Sequence, residues 1–181
     1  MKIFTINNRK EEKFLRQKTA EFDFSQYTKK EIDALIKEMK KIMIENNGIG
    51  LSANQVGLDL KFFMAEIPAD ISINPRLNQH KSASNKFYAI FNPEIIKFSE
   101  KKSIMEEGCL SVPGIYGLVE RPEKITLVGY DKNAKKIKIK AWGLLARVFQ
   151  HEIDHLNGIL FIDKAKELYK VTSKQQTENK V

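Results

Sequence analysis

The residues of this chain with the most specific chemistry lie in the run Gln150-His151-Glu152-Ile153-Asp154-His155. Two histidines four positions apart lie on one face of a helix, where both imidazoles can bind the same metal ion. The glutamate next to the first histidine can act as a base on a water molecule at such an ion. The chain has 3 histidines, so this arrangement would arise by chance in roughly 0.2% of such chains. The run therefore predicts a metal site on a helix.

Catalytic metal sites usually have three protein ligands and one open position, so a third ligand is needed. The metzincin pattern requires a histidine where this chain has Phe161, which excludes that pattern. A downstream glutamate, as in thermolysin-like proteases, would be Glu167, which follows too closely, or Glu178, which lies in a polar tail. Upstream, the thiolate of Cys109 would complete a Cys-His-His set, although a lone cysteine in apolar surroundings is usually a small core residue.

The third candidate for chemistry is the glycine-rich segment Gly48-Ile49-Gly50-Leu51-Ser52-Ala53-Asn54-Gln55. It has no P-loop lysine, and no strand leads into it as a dinucleotide site would require. A tight turn, with glycines where a Cβ would clash, explains the segment without any function. The amide of Gln55 could also donate a hydrogen bond to an oxyanion. Both interpretations stay open from these residues alone.

Several predicted elements must position these residues. Thr28-Lys29-Lys30-Glu31 is a capping box that begins a buried amphipathic helix, which ends near Glu45. Apolar and β-branched runs predict strands at 61–67, 88–92 and 125–130, and a helical apolar pattern covers 144–156. Strands followed by a late buried helix predict an α+β fold, with mixed or antiparallel β-sheets around a buried C-terminal helix that carries HExxH.

The length of 181 residues predicts one domain. We assign residues 1–169 to a single catalytic domain and 170–181 to a polar, frayed tail. One cysteine excludes an intramolecular disulfide, and no apolar run approaches the roughly 18 residues of a membrane span. The first residues lack the apolar segment of a signal peptide. We therefore expect a cytoplasmic protein that does not enter a membrane.

The chain carries a formal charge of +8, which is compatible with an anionic partner such as RNA or with a solvated lysine-rich surface. The second interpretation is favoured because the basic residues are spread along the chain. The densest basic stretch, 132–140, alternates in the manner of an exposed hairpin strand with Ile137 and Ile139 facing inward.

Taken together and in order, the three segments resemble the peptide deformylases, whose motifs are GxGxAAxQ, EGCLS and HExxH. The resemblance extends from Phe14-Leu15-Arg16 to Asp163, which is nearly the whole chain. Ser52 departs from it, because the family usually has alanine there. The segment 69–86, which we interpret as a loop at the substrate entrance, is longer than in the shorter bacterial members, and the tail is shorter than the C-terminal helix of some members.

The resemblance implies three metal ligands, namely Cys109, His151 and His155, with water in the fourth position. It implies that Glu152 is the general base and later the general acid, and that Gln55 and the backbone N–H of Leu110 donate to the oxyanion. The implied metal is Fe²⁺, with Zn²⁺, Ni²⁺ or Co²⁺ able to substitute. A cysteine-ligated Fe²⁺ site would be sensitive to oxygen.

The implied activity is removal of the N-formyl group from N-formylmethionyl nascent peptides, with release of formate. Two other classes remain: a zinc-dependent endopeptidase or aminopeptidase, and a non-catalytic metal- or RNA-binding domain. Structural zinc sites are closed by four ligands, which disfavours a structural metal here. The expected partners are formylmethionyl peptides, with the ribosome surface as a further candidate, and the expected state is a monomer.

The family's methionine pocket maps onto Ile49, Leu144, Val148 and the His151 ring, with Arg147 near its rim. For Leu144 and Val148, plain core packing is the better interpretation from sequence alone. The peptide backbone is expected to pair as an added strand with Ile49-Gly50 and with Gly108.

A final prediction concerns residues outside the ligand set. If 112–118 forms a return loop, Glu107 and Arg121 can lie side by side and form a partly buried, bidentate ion pair. Such a pair would brace the strand that carries Cys109, because groups beyond the ligands orient a metal site. The alternative is two solvated surface charges.

Overall fold

The computed structural model describes residues 1–67 and 85–170. Three helices are present in these ranges: α1 (Arg9–Leu15), α2 (Lys29–Glu45) and α3 (Gly143–Leu156). The strands are β1 (Gly50–Ser52), β2 (Phe62–Ile67), β3 (Lys86–Phe98), β4 (Lys102–Cys109), β5 (Val112–Pro122), β6 (Lys124–Tyr130), β7 (Lys136–Trp142) and β8 (Ala165–Lys170). Short 3-10 helices lie at Phe24–Gln26, Ala53–Val56 and Phe161–Asp163.

The strands form two antiparallel sheets. One sheet has the order β1-β2-β3-β6-β7, and the other has the order β4-β5-β8. The helix α3 packs on β1 and β2 of the larger sheet and also touches β5 of the smaller one. This arrangement confirms the predicted α+β fold with antiparallel sheets around the helix that carries the two histidines.

Three apolar clusters hold these layers together. The first packs α2 on the larger sheet through residues such as Met39, Met43 and Phe62. The second packs the apolar side of α3 on the same sheet, with Phe149 among its buried members. The third lies on the smaller sheet and includes Phe161, which occupies the third-histidine position of the metzincin pattern. The packing of its apolar side therefore fixes the position of α3, and with it the position of the polar side chains on the opposite face.

The first long helix begins where the sequence predicted. The Thr28 hydroxyl accepts from the Glu31 N–H at 3.3 Å, and the Glu31 carboxylate accepts from the Thr28 N–H at 2.7 Å. The helix ends at Glu45, and Asn47 follows with a φ of +56°, a conformation that asparagine tolerates better than most residues. After the end of this helix, the chain continues directly into the glycine-rich segment and β1.

Other local predictions were incomplete. The helix α1 and the strands β5 and β8 were not predicted, since their apolar residues lack a clean period, and β4 was expected only as the strand that carries Cys109. The expected return loop at 112–118 is wrong, because these residues lie in β5 and the chain reverses at Leu110-Ser111 instead. The hairpin of β6 and β7 is confirmed, with Ile137 and Ile139 half-buried and the lysines between them exposed.

Two predicted segments fall largely outside the described residues. The expected entrance loop at 69–86 is described only from residue 85, and Lys86 already belongs to β3. The expected tail at 170–181 is described only at Lys170, which ends β8. Among the described residues, the helices are too short or too polar to span a bilayer.

Candidate metal centre

The structure brings Cys109, His151 and His155 together, although the cysteine lies 42 positions before the first histidine. The ligand atoms of the three side chains all lie within 4.8 Å of one another. Cys109 Sγ lies 3.1 Å from His155 Nε2. The cysteine ends β4, whereas the two histidines lie one turn apart on α3. One thiolate and two imidazoles form a donor set that suits a divalent transition metal and leaves a position open.

Replacing the thiolate should weaken metal binding itself. We expect Cys109→Ser to lose most of its bound metal, because a neutral hydroxyl is a much poorer ligand than a thiolate. The metal content after anaerobic dialysis, measured beside the unmodified protein, checks this expectation. A folded serine variant that retains full metal content and normal turnover would show that Cys109 is not a ligand.

The carboxylate of Glu152 lies beside this cluster. Its side chain is buried, with the residue 3% exposed, and Oε2 has no hydrogen-bond partner among the described residues. Burial raises the pKa of Glu152 to about 7. A Cβ at Gly50 would clash with Glu152 Oε1 and would lie 2.9 Å from Val148 Cγ1. Glycine at position 50 therefore lets β1 approach the carboxylate of Glu152 closely.

The side-chain amide of Gln55 has a fixed orientation. Its Oε1 accepts from the Ser52 N–H at 2.9 Å, so the NH₂ group must point the other way. The Nε2 atom lies 3.4 Å from Cys109 Sγ and donates to Ser111 Oγ at 3.1 Å. Leu110, the second predicted oxyanion donor, lies in the turn directly after Cys109. The segment 48–55 and the β4–β5 turn thus meet at the cysteine.

The predicted ion pair of Glu107 and Arg121 is confirmed. Arg121 Nε donates to Glu107 Oε1 at 2.6 Å and Nη2 donates to Oε2 at 2.9 Å, and the residues are 6% and 3% exposed. Glu107 Oε2 also lies 2.9 Å from Nδ1 of His151. Burial opposes ionisation, but hydrogen bonds from Arg121 and His151 hold the pKa of Glu107 well below its usual range. The carboxylate therefore orients the His151 ring.

The predicted return loop is not what brings Glu107 and Arg121 together. Glu107 and Arg121 lie on the same face of a continuous β4–β5 hairpin. The other end of the guanidinium contacts Asp154 on α3, where Arg121 Nη1 donates to Oδ2 at 2.6 Å. Lys164 also donates to Asp154, at 2.6 Å. The network joins the smaller sheet to α3 on both sides of His151.

Arg147, which was expected near the rim of the methionine pocket, has a buried side chain in the structure, and its contact with the substrate stays a prediction. Arg147 is 5% exposed, and its guanidinium donates to Glu107 Oε1 at 2.9 Å and to the carbonyl oxygens of Val119 and Ser103 at 2.8 Å each. A buried guanidinium needs such acceptors, and the smaller sheet supplies them. Arg147 therefore fastens α3 to that sheet.

The remaining predicted substrate residues divide into two groups. Leu144 and Val148 pack in the apolar cluster of α3, in line with the core interpretation. Ile49 is 39% exposed, and Gly108 is exposed as well. Ile49 directly precedes β1 and Gly108 lies in β4, and each of these strands is at the edge of its sheet, with one side that pairs with no strand among the described residues.

Sequence reasoning missed two residues that support the site, namely Ser111 and Asp154, and it did not foresee the buried contacts of Arg147. The first two lie inside the quoted motifs EGCLS and HEIDH, which was the available signal. Their roles depend on partners in other elements, which no local pattern identifies.

Comparisons with known proteins agree with this geometry. The model of the Polypeptide deformylase family matches residues 1–171. A peptide deformylase of Halothermothrix orenii is 44% identical over 140 residues, covering 77% of this chain and 80% of that protein.

Two solved structures are similar over 91% of this chain. One is a probable peptide deformylase of Synechococcus phage S-SSM7, with 38% identity, 99% coverage of that chain and a TM-score of 0.75. The other is a class I type b peptide deformylase of Acinetobacter baumannii with bound Met-Ala-Ser, with 30% identity, 97% coverage and a TM-score of 0.76. The chain therefore belongs to the polypeptide deformylase family.

Proposed function

We propose that this protein is a metal-dependent hydrolase that removes the formyl group from N-formylmethionyl nascent peptides, with Glu152 as its acid–base residue. One observation carries the proposal: a buried carboxylate, with one oxygen that has no hydrogen-bond partner among the described residues, lies beside a Cys-His-His cluster in a chain of the deformylase family. The products would be formate and a peptide with a free N-terminal methionine.

The residues present fit a divalent metal ion. Cys109, His151 and His155 would hold it. The Glu107 carboxylate contacts Nδ1 of His151, and a carboxylate in this position fixes the ring orientation of a metal-binding histidine. We propose Fe²⁺ as the resident metal, with Zn²⁺, Ni²⁺ or Co²⁺ as substitutes, as the resemblance to the deformylases implies; the thiolate and imidazole donors are compatible with each of these ions. When bound, a divalent ion supplies Lewis-acid chemistry, which polarises a carbonyl and lowers the pKa of water.

The chain's own residues supply the proton transfers. Glu152 takes a proton from the attacking water as the water oxygen bonds to the formyl carbon. Collapse of the tetrahedral intermediate breaks the C–N bond, and Glu152 returns the proton to the leaving amine. The pKa of Glu152, which burial raises to about 7, suits both directions of transfer near neutral pH.

Two donors would stabilise the oxyanion. The Gln55 amide is already turned toward Cys109 by the Ser52 N–H, so it requires no reorientation during the reaction. The backbone N–H of Leu110 is the second donor. Removing one oxyanion donor typically costs about 2.7–4 kcal/mol of transition-state stabilisation.

The edges of β1 and β4 are the proposed binding site for the peptide backbone. Backbone pairing at these edges, around Ile49-Gly50 and Gly108, gives affinity with little sequence preference. The Acinetobacter relative binds Met-Ala-Ser, and we propose the formylated form of this tripeptide as a substrate here. Ile49, with the His151 ring, remains the proposed contact for the methionine side chain.

An activity assay tests the proposal directly. Freshly purified, anaerobic Fe²⁺-loaded protein is expected to release formate from formyl-Met-Ala-Ser, and not to cleave internal bonds of unformylated peptides. An endopeptidase would cleave without a formyl group, and a non-catalytic binding protein would release nothing. Absence of formate release from metal-loaded protein would refute the proposed function. Metal analysis of the same anaerobic preparation identifies the resident ion.

The cellular setting belongs to the same proposal. We propose a cytoplasmic monomer that acts in N-terminal methionine processing during protein biosynthesis. A candidate partner is an acidic surface such as that of the ribosome. This proposal is supported by the exposed lysines of β7, which are Lys136, Lys138 and Lys140.

A further inference from the structure

The two histidines of the cluster are supported in different ways. His151 has its second ring nitrogen on Glu107, at 2.9 Å. His155 points Nε2 at Cys109, and its buried Nδ1 has no hydrogen-bond partner among the described residues. Metal-binding imidazoles are usually oriented through this second nitrogen. The orientation of His155 must therefore be set through its backbone and its packing.

The backbone of His155 is fixed by a side chain from the glycine-rich segment. Asn54 Nδ2 donates to the His155 carbonyl oxygen at 2.5 Å, and the two residues are 0% and 1% exposed. His155 lies in the last turn of α3, where carbonyl groups lack partners within the helix. Gly158 N–H donates to the same oxygen at 2.9 Å. Asn54 is thus a buried contact between the first motif and a residue of the metal cluster.

The amide of Asn54 is itself held by Ser52. Ser52 Oγ lies 2.9 Å from Asn54 Oδ1 and 2.9 Å from Gln55 Oε1. A hydroxyl has one proton to donate, and Gln55 Oε1 already accepts from the Ser52 N–H. The hydroxyl also faces Glu152: burial raises the pKa of that carboxyl, and a hydrogen bond from Ser52 opposes this shift. Asn54 Oδ1 has no other donor among the described residues, so we assign the hydroxyl proton to Asn54. The backbone of Ser52 therefore orients Gln55, and its side chain orients Asn54.

We propose that Asn54 is a positioning residue for His155, and that the Ser52 hydroxyl acts through Asn54. This inference rests on the proposed metal site. It also gives a role to the serine that stands where the family usually has alanine: the hydroxyl is needed because it completes a hydrogen-bonded chain from Ser52 through Asn54 to the His155 carbonyl.

The test measures how tightly and in what geometry the full-length protein holds Co²⁺. The affinity comes from competition with a chelator, and the visible absorption of the bound ion reports the ligand geometry. The variants are Asn54→Ala, Asn54→Asp, Ser52→Ala and the Ser52→Ala/Asn54→Ala double variant. Asn54→Asp keeps the shape of the side chain but cannot donate a hydrogen bond to the His155 carbonyl oxygen. Asn157→Ala is the matched control, because its amide also donates to a carbonyl of α3, that of Ile153 at 2.8 Å, but on the exposed surface.

We expect both Asn54 variants to bind Co²⁺ about 10–100-fold more weakly than the unmodified protein, with an altered absorption spectrum. Ser52→Ala should show a smaller loss of affinity in the same direction. The double variant should bind no more weakly than Asn54→Ala, since residues that act through one contact are not additive. Asn157→Ala should match the unmodified protein.

Unchanged Co²⁺ affinity and spectrum in folded Asn54→Ala would overturn the inference. If neither Asn54 variant folds, Ser52→Ala decides alone, and an unchanged affinity and spectrum would again overturn it. Failure of the proposed function would give a different result, because the unmodified protein itself would then bind no metal or release no formate.

Discussion

Glu152→Gln is expected to lower kcat by about 10² to 10⁴-fold or more, which is the usual contribution of a general acid–base residue. Glutamine has nearly the same shape, so it fits beside Gly50, but it cannot accept a proton from water. The metal should stay bound, because the three ligand side chains are unchanged. The loss should therefore appear in turnover and not in metal content.

The measurement combines steady-state deformylation of formyl-Met-Ala-Ser with metal analysis of the same sample. Glu167→Gln is a suitable control, because Glu167 lies exposed on β8 and was one of the two downstream glutamates considered as a third ligand. The control should keep both metal and activity. Near-normal turnover of metal-loaded Glu152→Gln would assign the proton transfers to another group.

Arg121→Ala is expected to destabilise the protein by about 3–5 kcal/mol, because it removes the bidentate partner of the buried Glu107 carboxylate and one of the two cations that pair with Asp154. Glu107 would lose two hydrogen bonds, and Asp154 would lose one. Glu107 also orients His151, so we expect metal affinity or activity to fall about 10–100-fold. The two effects should occur together, since one carboxylate serves both roles.

Chemical denaturation of the metal-loaded protein measures the free energy of unfolding, and chelator competition measures metal affinity. The control is Lys166→Ala, which breaks an ion pair with Glu120 on the same sheet. Both partners of that pair are largely exposed, so its loss should leave stability and metal binding unchanged. If Arg121→Ala kept the melting temperature, metal content and deformylation rate of the unmodified protein, the buried network would contribute nothing.

Local patterns were sufficient for the elements that carry the chemistry. The i, i+4 histidines and the apolar face of α3 follow one helical period, and the capping box begins α2 where it was expected. The strands with β-branched or aromatic runs were found for the same reason, because each signal lies within a few neighbouring residues. The strands β5 and β8 lack such a run and were missed, and β4 was expected only as the strand that carries Cys109.

The arrangement around the metal ligands was decided by tertiary structure. Sequence alone proposed the pair of Glu107 and Arg121, but the β4–β5 hairpin, rather than a return loop, brings the two side chains together. Arg147 lies inside because acceptors from β4 and β5 surround it, which its position on α3 could not show. Asn54 and His155 are 101 residues apart, and their contact exists only because α3 packs on β1 and the 3-10 helix that follows it. The residue types with the ligand chemistry are thus determined by the sequence motifs, whereas the hydrogen bonds that orient them depend on which elements pack together, since buried polar groups take partners from whatever lies beside them.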